Sequence, residues 1–305
     1  MAGEIDPEHV VILESVRDSQ YPVHLMYIEL LDGVYAPIGL RKPASVGPHP
    51  TIVLARGNGG GGMAWVRNAT QNKGFILENL LEAGYACAWL RYRAEVELGY
   101  NNGGRLLEDM RQGQQLFNRS PLEYEDEKSI IEYLKKLPDV DENRIGMIGV
   151  SHAGEMILKI TSEYDGVAVG VACEPASHEF LALSPDNTSF VNDETNLRNI
   201  EGMVMSEVGE VMGRINKEVA IERIKNIGTP ILIMGRKKDH LQGIFRATYE
   251  LMKKEGKEVE WVSYDHPMHG YIYPERGEDG EYQVDELQKS AVDNVISYLD
   301  KYLKK

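Results

Sequence analysis

Positive charge is what this sequence is shortest of: 33 Lys and Arg stand against 48 Asp and Glu, a net charge of −15. Phosphate backbones and anionic lipid surfaces are bound by clustered Lys and Arg that displace counterions. No such cluster occurs, so nucleic acid and membrane surfaces are not expected as partners. Cysteine is nearly missing. Cys87 and Cys173 each lie inside an apolar, strand-like run, which reads as two buried thiols rather than a disulfide framework. Apolar runs of the roughly 20 residues that cross a membrane are also missing. The opening Met-Ala-Gly-Glu-Ile-Asp has neither the basic nor the apolar region of a signal peptide. The chain is therefore expected to be cytoplasmic as it stands, or secreted or periplasmic if a leader was removed. Internal repeats and low-complexity tracts are not evident. What is present, 42% hydrophobic and 27% charged residues over 305 positions, is enough for a sizeable buried core.

In chain order, strand-like segments at about 10–17, 23–31 and 34–41 are divided by Ser19-Gln-Tyr-Pro22 and Asp32-Gly33, the pattern of an antiparallel meander. Pro48–Ala55 is then a continuous apolar run, as expected of a strand buried on both faces. From there strands and helices alternate. Strands at 85–92, 144–150, 166–173, 230–234 and 258–263 are interleaved with helices near 74–83, 125–136, 243–255 and 284–303, and with one that begins after Ser151. Residues 176–226 break the rhythm and read as a lid-like insertion over the sheet. The expected architecture is one α/β domain over 1–305: a mostly parallel, doubly wound sheet with N-terminal antiparallel strands. Ligands of such sheets sit at the carboxyl ends of the strands.

Ser151 stands at one such end, in Gly149-Val-Ser-His-Ala-Gly154. A strand that turns this sharply into a helix needs almost no side chain two positions before and two or three after the apex. Gly149, Ala153 and Gly154 meet that need. The helix that follows points its unpaired N–H groups at the hydroxyl. This strand, turn and helix resemble the nucleophile elbow of the α/β-hydrolase family, with Ala153 where the family's usual motif has its last glycine. Nearest in pattern around Tyr92, Ser151, Asp239 and His269-Gly270 are the dienelactone-hydrolase-like and prolyl-oligopeptidase-like catalytic domains.

The resemblance implies an oxyanion hole. Its donors would be the backbone N–H of His152 and one from the loop after strand 51–55, Asn58 or Gly57, within Arg56-Gly-Asn-Gly-Gly-Gly-Gly62. The same loop matches the dinucleotide fingerprint as Gly57-x-Gly59-x-x-Gly62. However, the next strand ends in Arg91 and Arg93 rather than in an acid for the ribose, and a meander precedes the loop. Those arginines read more simply as solvated or paired with acids such as Glu95.

Elimination among the eight histidines leaves His266 and His269, just after the last strand. His269 is preferred because Gly270 follows it, as in the family's terminal His-Gly loop, and His266 before Pro267 reads as structural. Asp239 stands at the tip of the buried strand 231–234 and would orient the histidine; its local alternative is a helix N-cap. Ser151, Asp239 and His269 then follow three different strands in the family's chain order.

The implied activity is hydrolysis of carboxylic esters of small molecules through an acyl-enzyme, with no metal or organic cofactor. A peptidase of the prolyl oligopeptidase or dipeptidyl peptidase type is the alternative. A non-catalytic or NADP-binding α/β protein is the alternative from another class. A propeller-like peptide-sorting domain is not seen at this length, which favours the ester. The Met-rich piece Gly202–Met212 either packs the insertion down or lines an acyl pocket. The composition leaves room for a homo-oligomer.

Overall fold

A computed structural model describes residues 11–30, 33, 35–55, 57, 62–91, 122–183, 191–192, 197–198 and 204–304. One nine-stranded sheet organises them. Its strands are β1 (Ile12–Glu14), β2 (Val23–Glu29), β3 (Tyr35–Arg41), β4 (His49–Ala55), β5 (Ala86–Leu90), β6 (Val140–Val150), β7 (Val169–Cys173), β10 (Ile231–Arg236) and β11 (Val259–Tyr264). They lie in the order β1-β2-β3-β5-β4-β6-β7-β10-β11. The first three are antiparallel, and β3 joins β5 antiparallel. From β5 to β11 every pairing is parallel. A short separate hairpin pairs β8 (Val191–Asn192) with β9 (Leu197–Arg198) inside the expected insertion.

Every residue of β4, β5 and β7 is buried, because helices cover both sides. Side chains divide by the two-residue period of a strand. Ile52, Ile148, Val171 and Leu232 face one core with α1 (Gly62–Asn72), α2 (Phe75–Glu82) and α8 (Glu286–Leu303). Val53, Met147, Ala172 and Ile233 face the other. That core is closed by α3 (Leu122–Leu134), α4 (His152–Glu163), α6 (Lys217–Asn226) and α7 (Gln242–Lys254), with α5 (Val208–Arg214) packed on α7. The helices expected at 74–83, 125–136, 243–255 and 284–303 appear within a few residues of those bounds. Helix α1 had no counterpart in the sequence reading: its buried stripe is only Val66, Ala69 and Thr70, too small and polar to register as periodic.

The carboxyl end of the sheet is fastened from α8. A capping box joins Asp285 and Gln288 at its start, and Gln288 Nε2 donates to the Tyr271 carbonyl at 3.2 Å. Tyr271 and Tyr273 donate their hydroxyls to the carbonyls of Gly235 at 3.0 Å and Ala55 at 3.3 Å. The loop that carries His269 is thereby held to strands β10 and β4. Among the described residues no helix is long and apolar enough to cross a membrane.

Candidate active site

Ser151 occupies the junction of β6 and α4 with φ 61° and ψ −121°, a left-handed conformation that a side-chain-bearing residue adopts only where its surroundings enforce it. Three backbone bonds do so. Its N–H donates to the Cys173 carbonyl at 2.9 Å, and its carbonyl accepts from Glu155 at 3.2 Å and Ala176 at 3.1 Å. Small neighbours are required, as the sequence suggests: a Cβ on Gly149 would collide with the Ala153 carbonyl, and one on Gly154 would lie 3.0 Å from Pro175 Cα.

Gly57 lies against the serine so closely that a Cβ there would stand 2.8 Å from Ser151 Cβ and 3.1 Å from its Oγ. This loop is therefore one a backbone amide can approach from. Asn58, Gly59 and the remainder of 58–61 lie outside the described residues, as do Tyr92, Arg93 and Glu95. Pairing of an arginine with Glu95 falls outside the described residues, and solvation does not hold for Arg91. It is 2% exposed, its guanidinium stacks 3.4 Å above the Trp65 ring, and Nη1 donates to the Gly57 carbonyl at 3.3 Å. Burial against an indole and a carbonyl replaces the water that a surface arginine would keep.

His152 begins α4, and its imidazole turns away from the nucleophile into a buried acidic pocket. Nε2 lies 3.1 Å from Glu123 and Nδ1 3.7 Å from Glu155. Glu155 also accepts the N–H groups of Glu179 at 2.8 Å and Phe180 at 2.9 Å. Burial would raise the Glu155 pKa, but the charge of Lys159 and the contacts with His152 and His178 outweigh it, holding the carboxyl down at about 2.

His269 lies on the loop after β11, and its partner is a residue the sequence reading did not single out. Glu174, next after β7, is fully buried and takes a left-handed φ of 48°. Its Oε1 is 3.2 Å from His269 Nδ1, and its Oε2 accepts the Gly270 N–H at 2.6 Å. A carboxylate only accepts, so Nδ1 carries the proton and Nε2 is the basic nitrogen. Asp239 is 2% exposed and belongs to the same cluster, with ligand atoms of Glu174, Asp239 and His269 all within 4.8 Å of one another. Its hydrogen-bond and ion-pair partners are different: Oδ1 accepts the Leu241 N–H at 2.7 Å and lies 3.4 Å from His240 Nδ1, while Oδ2 is ion-paired with Arg236.

Arg236, the last residue of β10, bridges the two carboxylates. Its Nε donates to Glu174 Oε1 at 2.6 Å, its Nη2 to Asp239, and its Nη1 to the Pro267 carbonyl at 3.2 Å. The donor set has the compactness of a cation site, but the guanidinium already supplies the positive charge between the acids. Burial works to lower the His269 pKa, and the hydrogen bond and charge of Glu174, with the charge of Asp239, outweigh it and raise it above 6.5. Burial works to raise that of Glu174, and His269, Gly270 and Arg236 bring it below 4.5.

Ser151 and this cluster are one strand apart, since the Ser151 N–H bonds Cys173, the neighbour of Glu174. No hydrogen bond joins Ser151 Oγ to His269 among the described residues; unliganded sites commonly hold such pairs loosely. His266 is elsewhere engaged, with Nε2 3.0 Å from Asp285 and Nδ1 accepting the Met268 N–H at 3.1 Å. The signal that could have found Glu174 is its place: a carboxylate directly after a fully buried parallel strand, where ligands of such sheets bind. Arg236 holds the corresponding place on β10.

Residues 121–274 match the family model described as BAAT / Acyl-CoA thioester hydrolase C terminal, a span that contains Ser151, Glu174, Asp239 and His269. No curated protein sequence matches the chain. Among solved structures it is similar to an acylaminoacyl peptidase of Pyrococcus horikoshii, with 18% identity over 95% of this chain, 43% of that chain, and a TM-score of 0.63. The chain thus spans less than half of the peptidase. A hyperthermophilic esterase of Pyrobaculum calidifontis gives 16% identity, coverage of 94% and 87%, and a TM-score of 0.58. A dienelactone hydrolase candidate from Klebsiella pneumoniae gives 12%, 93% and 100%, and 0.61. The mostly parallel sheet, its antiparallel entry and these neighbours establish the α/β-hydrolase fold, and the chain belongs to the BAAT / acyl-CoA thioester hydrolase C-terminal family.

Proposed function

We propose that the protein is a serine hydrolase that cleaves carboxylic esters of small molecules, with Ser151 as nucleophile and His269 as general base. Its Oγ attacks the acyl carbon while its proton passes to His269 Nε2. The resulting oxyanion is held by the His152 N–H and by an N–H of the loop at Gly57 or Asn58. Collapse expels the alcohol, which takes the proton from His269; water, deprotonated by the same nitrogen, then attacks the acyl-enzyme, and the acid leaves as Ser151 Oγ takes that proton back. The buried carboxylates Glu174 and Asp239 stabilise the imidazolium that forms in both steps.

The observation that carries this reading is the left-handed Ser151 between strand and helix, with a side-chain-free residue pressed against its oxygen. A packing serine needs neither. The family description favours a second acyl substrate, the thioester, whose attack by Ser151 would follow the same steps with a thiolate leaving. Peptide cleavage finds support in the fold shared with the acylaminoacyl peptidase. Turnover of p-nitrophenyl esters, acyl-CoA thioesters and acylaminoacyl amides by wild type and Ser151→Ala separates the three. Ester hydrolysis abolished by the substitution is expected. Tight NADPH binding with no serine-dependent hydrolysis of any of the three would refute the reading.

A further inference from the structure

We propose that Glu174, rather than Asp239, is the carboxylate that orients His269, and that Asp239 is a positioning residue one step further out, holding Arg236 against Glu174. This rests on the reading of Ser151 and His269 as the reacting pair. Glu174 alone of the two acids has a hydrogen bond to the imidazole, and the same carboxylate also fixes the next peptide through Gly270. One rigid group thus sets both the ring and the backbone that carries it, which is what holding a single tautomer requires. The backbone of Glu174 is itself held in a left-handed conformation, its N–H bonded to the Met234 carbonyl at 2.6 Å. Such strain persists where surrounding structure over-determines it, and it clusters where side chains are aimed for chemistry.

Asp239 has its oxygens committed to the Leu241 N–H and to Arg236, so its charge reaches His269 through space and through the guanidinium. The charges add up simply. Glu174 and Asp239 against Arg236 leave one net negative charge at rest, which the imidazolium cancels when Ser151 loses its proton. Without Arg236 two buried acids would bind the proton too tightly for His269 to return it to the leaving group. Among the described residues, the charged and titratable groups around His269 are these three, with His240 beside Asp239, and Cys173 and Tyr271 behind Glu174.

The test compares Glu174→Gln, Glu174→Asp and Asp239→Asn in kcat, KM and the pH profile of kcat/KM, on whichever ester the wild type turns over. Glu174→Gln is expected to lower kcat on the order of 10³–10⁴-fold, the scale of neutralising an orienting carboxylate in serine proteases, with KM little changed. Its acid limb should move to lower pH, because the interaction that raises the base is removed. Glu174→Asp should keep the limb near its wild-type position and recover part of kcat. Asp239→Asn should lose only about tenfold and move the limb down by less than Glu174→Gln does, since its charge reaches His269 without a hydrogen bond. The larger loss and the larger limb shift falling on Asp239→Asn would overturn the proposal. If Glu174→Gln does not fold, Asp239→Asn against wild type still decides: a kcat loss of about tenfold supports Glu174, and a loss on the order of 10³–10⁴-fold overturns it. The underlying pair is judged separately by Ser151→Ala and His269→Ala. Undiminished rates in those variants would remove the pair itself rather than the choice of acid.

Discussion

Ser151 and His269 are expected to be equally indispensable, since neither can move the proton alone. Ser151→Ala and His269→Ala should each reduce kcat/KM on the order of 10⁴–10⁶-fold while leaving the circular dichroism spectrum unchanged. His266→Ala should leave the rate within about tenfold, because its ring is spent on Asp285 and Met268, and should instead lower thermal stability. In the wild type the acid limb of kcat/KM should lie above pH 6.5, since His269 must be neutral to act and its pKa is raised. Stability likewise falls with falling pH at Glu155 and Glu174, whose carboxyls are held below 4.5 in the folded chain. Their contribution is present above about pH 4.5 and is lost as pH falls below it, for Glu155 toward about 2. Urea midpoints at pH 5, 4 and 3 should fall in that order, and less steeply in Glu155→Gln.

Elements carry the site through close approach, and that can be tested without touching a reacting group. Gly149→Ala places a methyl group on the Ala153 carbonyl and should disrupt the elbow, costing about 1–3 kcal/mol and most of the activity. Gly209→Ala, in α5 with open space around the added carbon, should be neutral or stabilising by about 0.5–1 kcal/mol. Met205 is fully buried, and its backbone pairs with His240 and Gly243 at the start of α7. This favours packing over an acyl pocket for that residue. Met205→Ala should therefore cost about 2–5 kcal/mol and lower kcat/KM alike for every acyl length; a change of preferred length would return it to the pocket. The sheet was legible because runs such as Thr51–Ala55 and Val169–Cys173 are apolar without interruption, which only burial on both faces explains. Helix α1 was not, since Val66, Ala69 and Thr70 bury too little apolar surface to mark a face. Residues 92–121 lie outside the described residues.

Across the whole molecule, chain order is what turns local motifs into a site. Ser151, Asp239 and His269 could be picked from the sequence because each follows its own strand. Glu174 also follows its own strand, but its partner is set by the fold: the neighbouring strands β7, β10 and β11 bring its loop to that of His269, 95 residues away. The local signal at Glu174-Pro175 is that of an ordinary turn after a strand. Similarly, Arg236 reads as one cation in a charged turn until Glu174 and Asp239 are seen on either side of it. The proposed chemistry requires that Ser151 be an activated nucleophile. Reaction with a fluorophosphonate, followed by mass spectrometry of the digested protein, measures this most directly. That chemistry predicts stoichiometric phosphonylation of the peptide containing Ser151, abolished in Ser151→Ala and slowed in His269→Ala. An unlabelled Ser151 in folded protein, or labelling undiminished by Ser151→Ala, would contradict it.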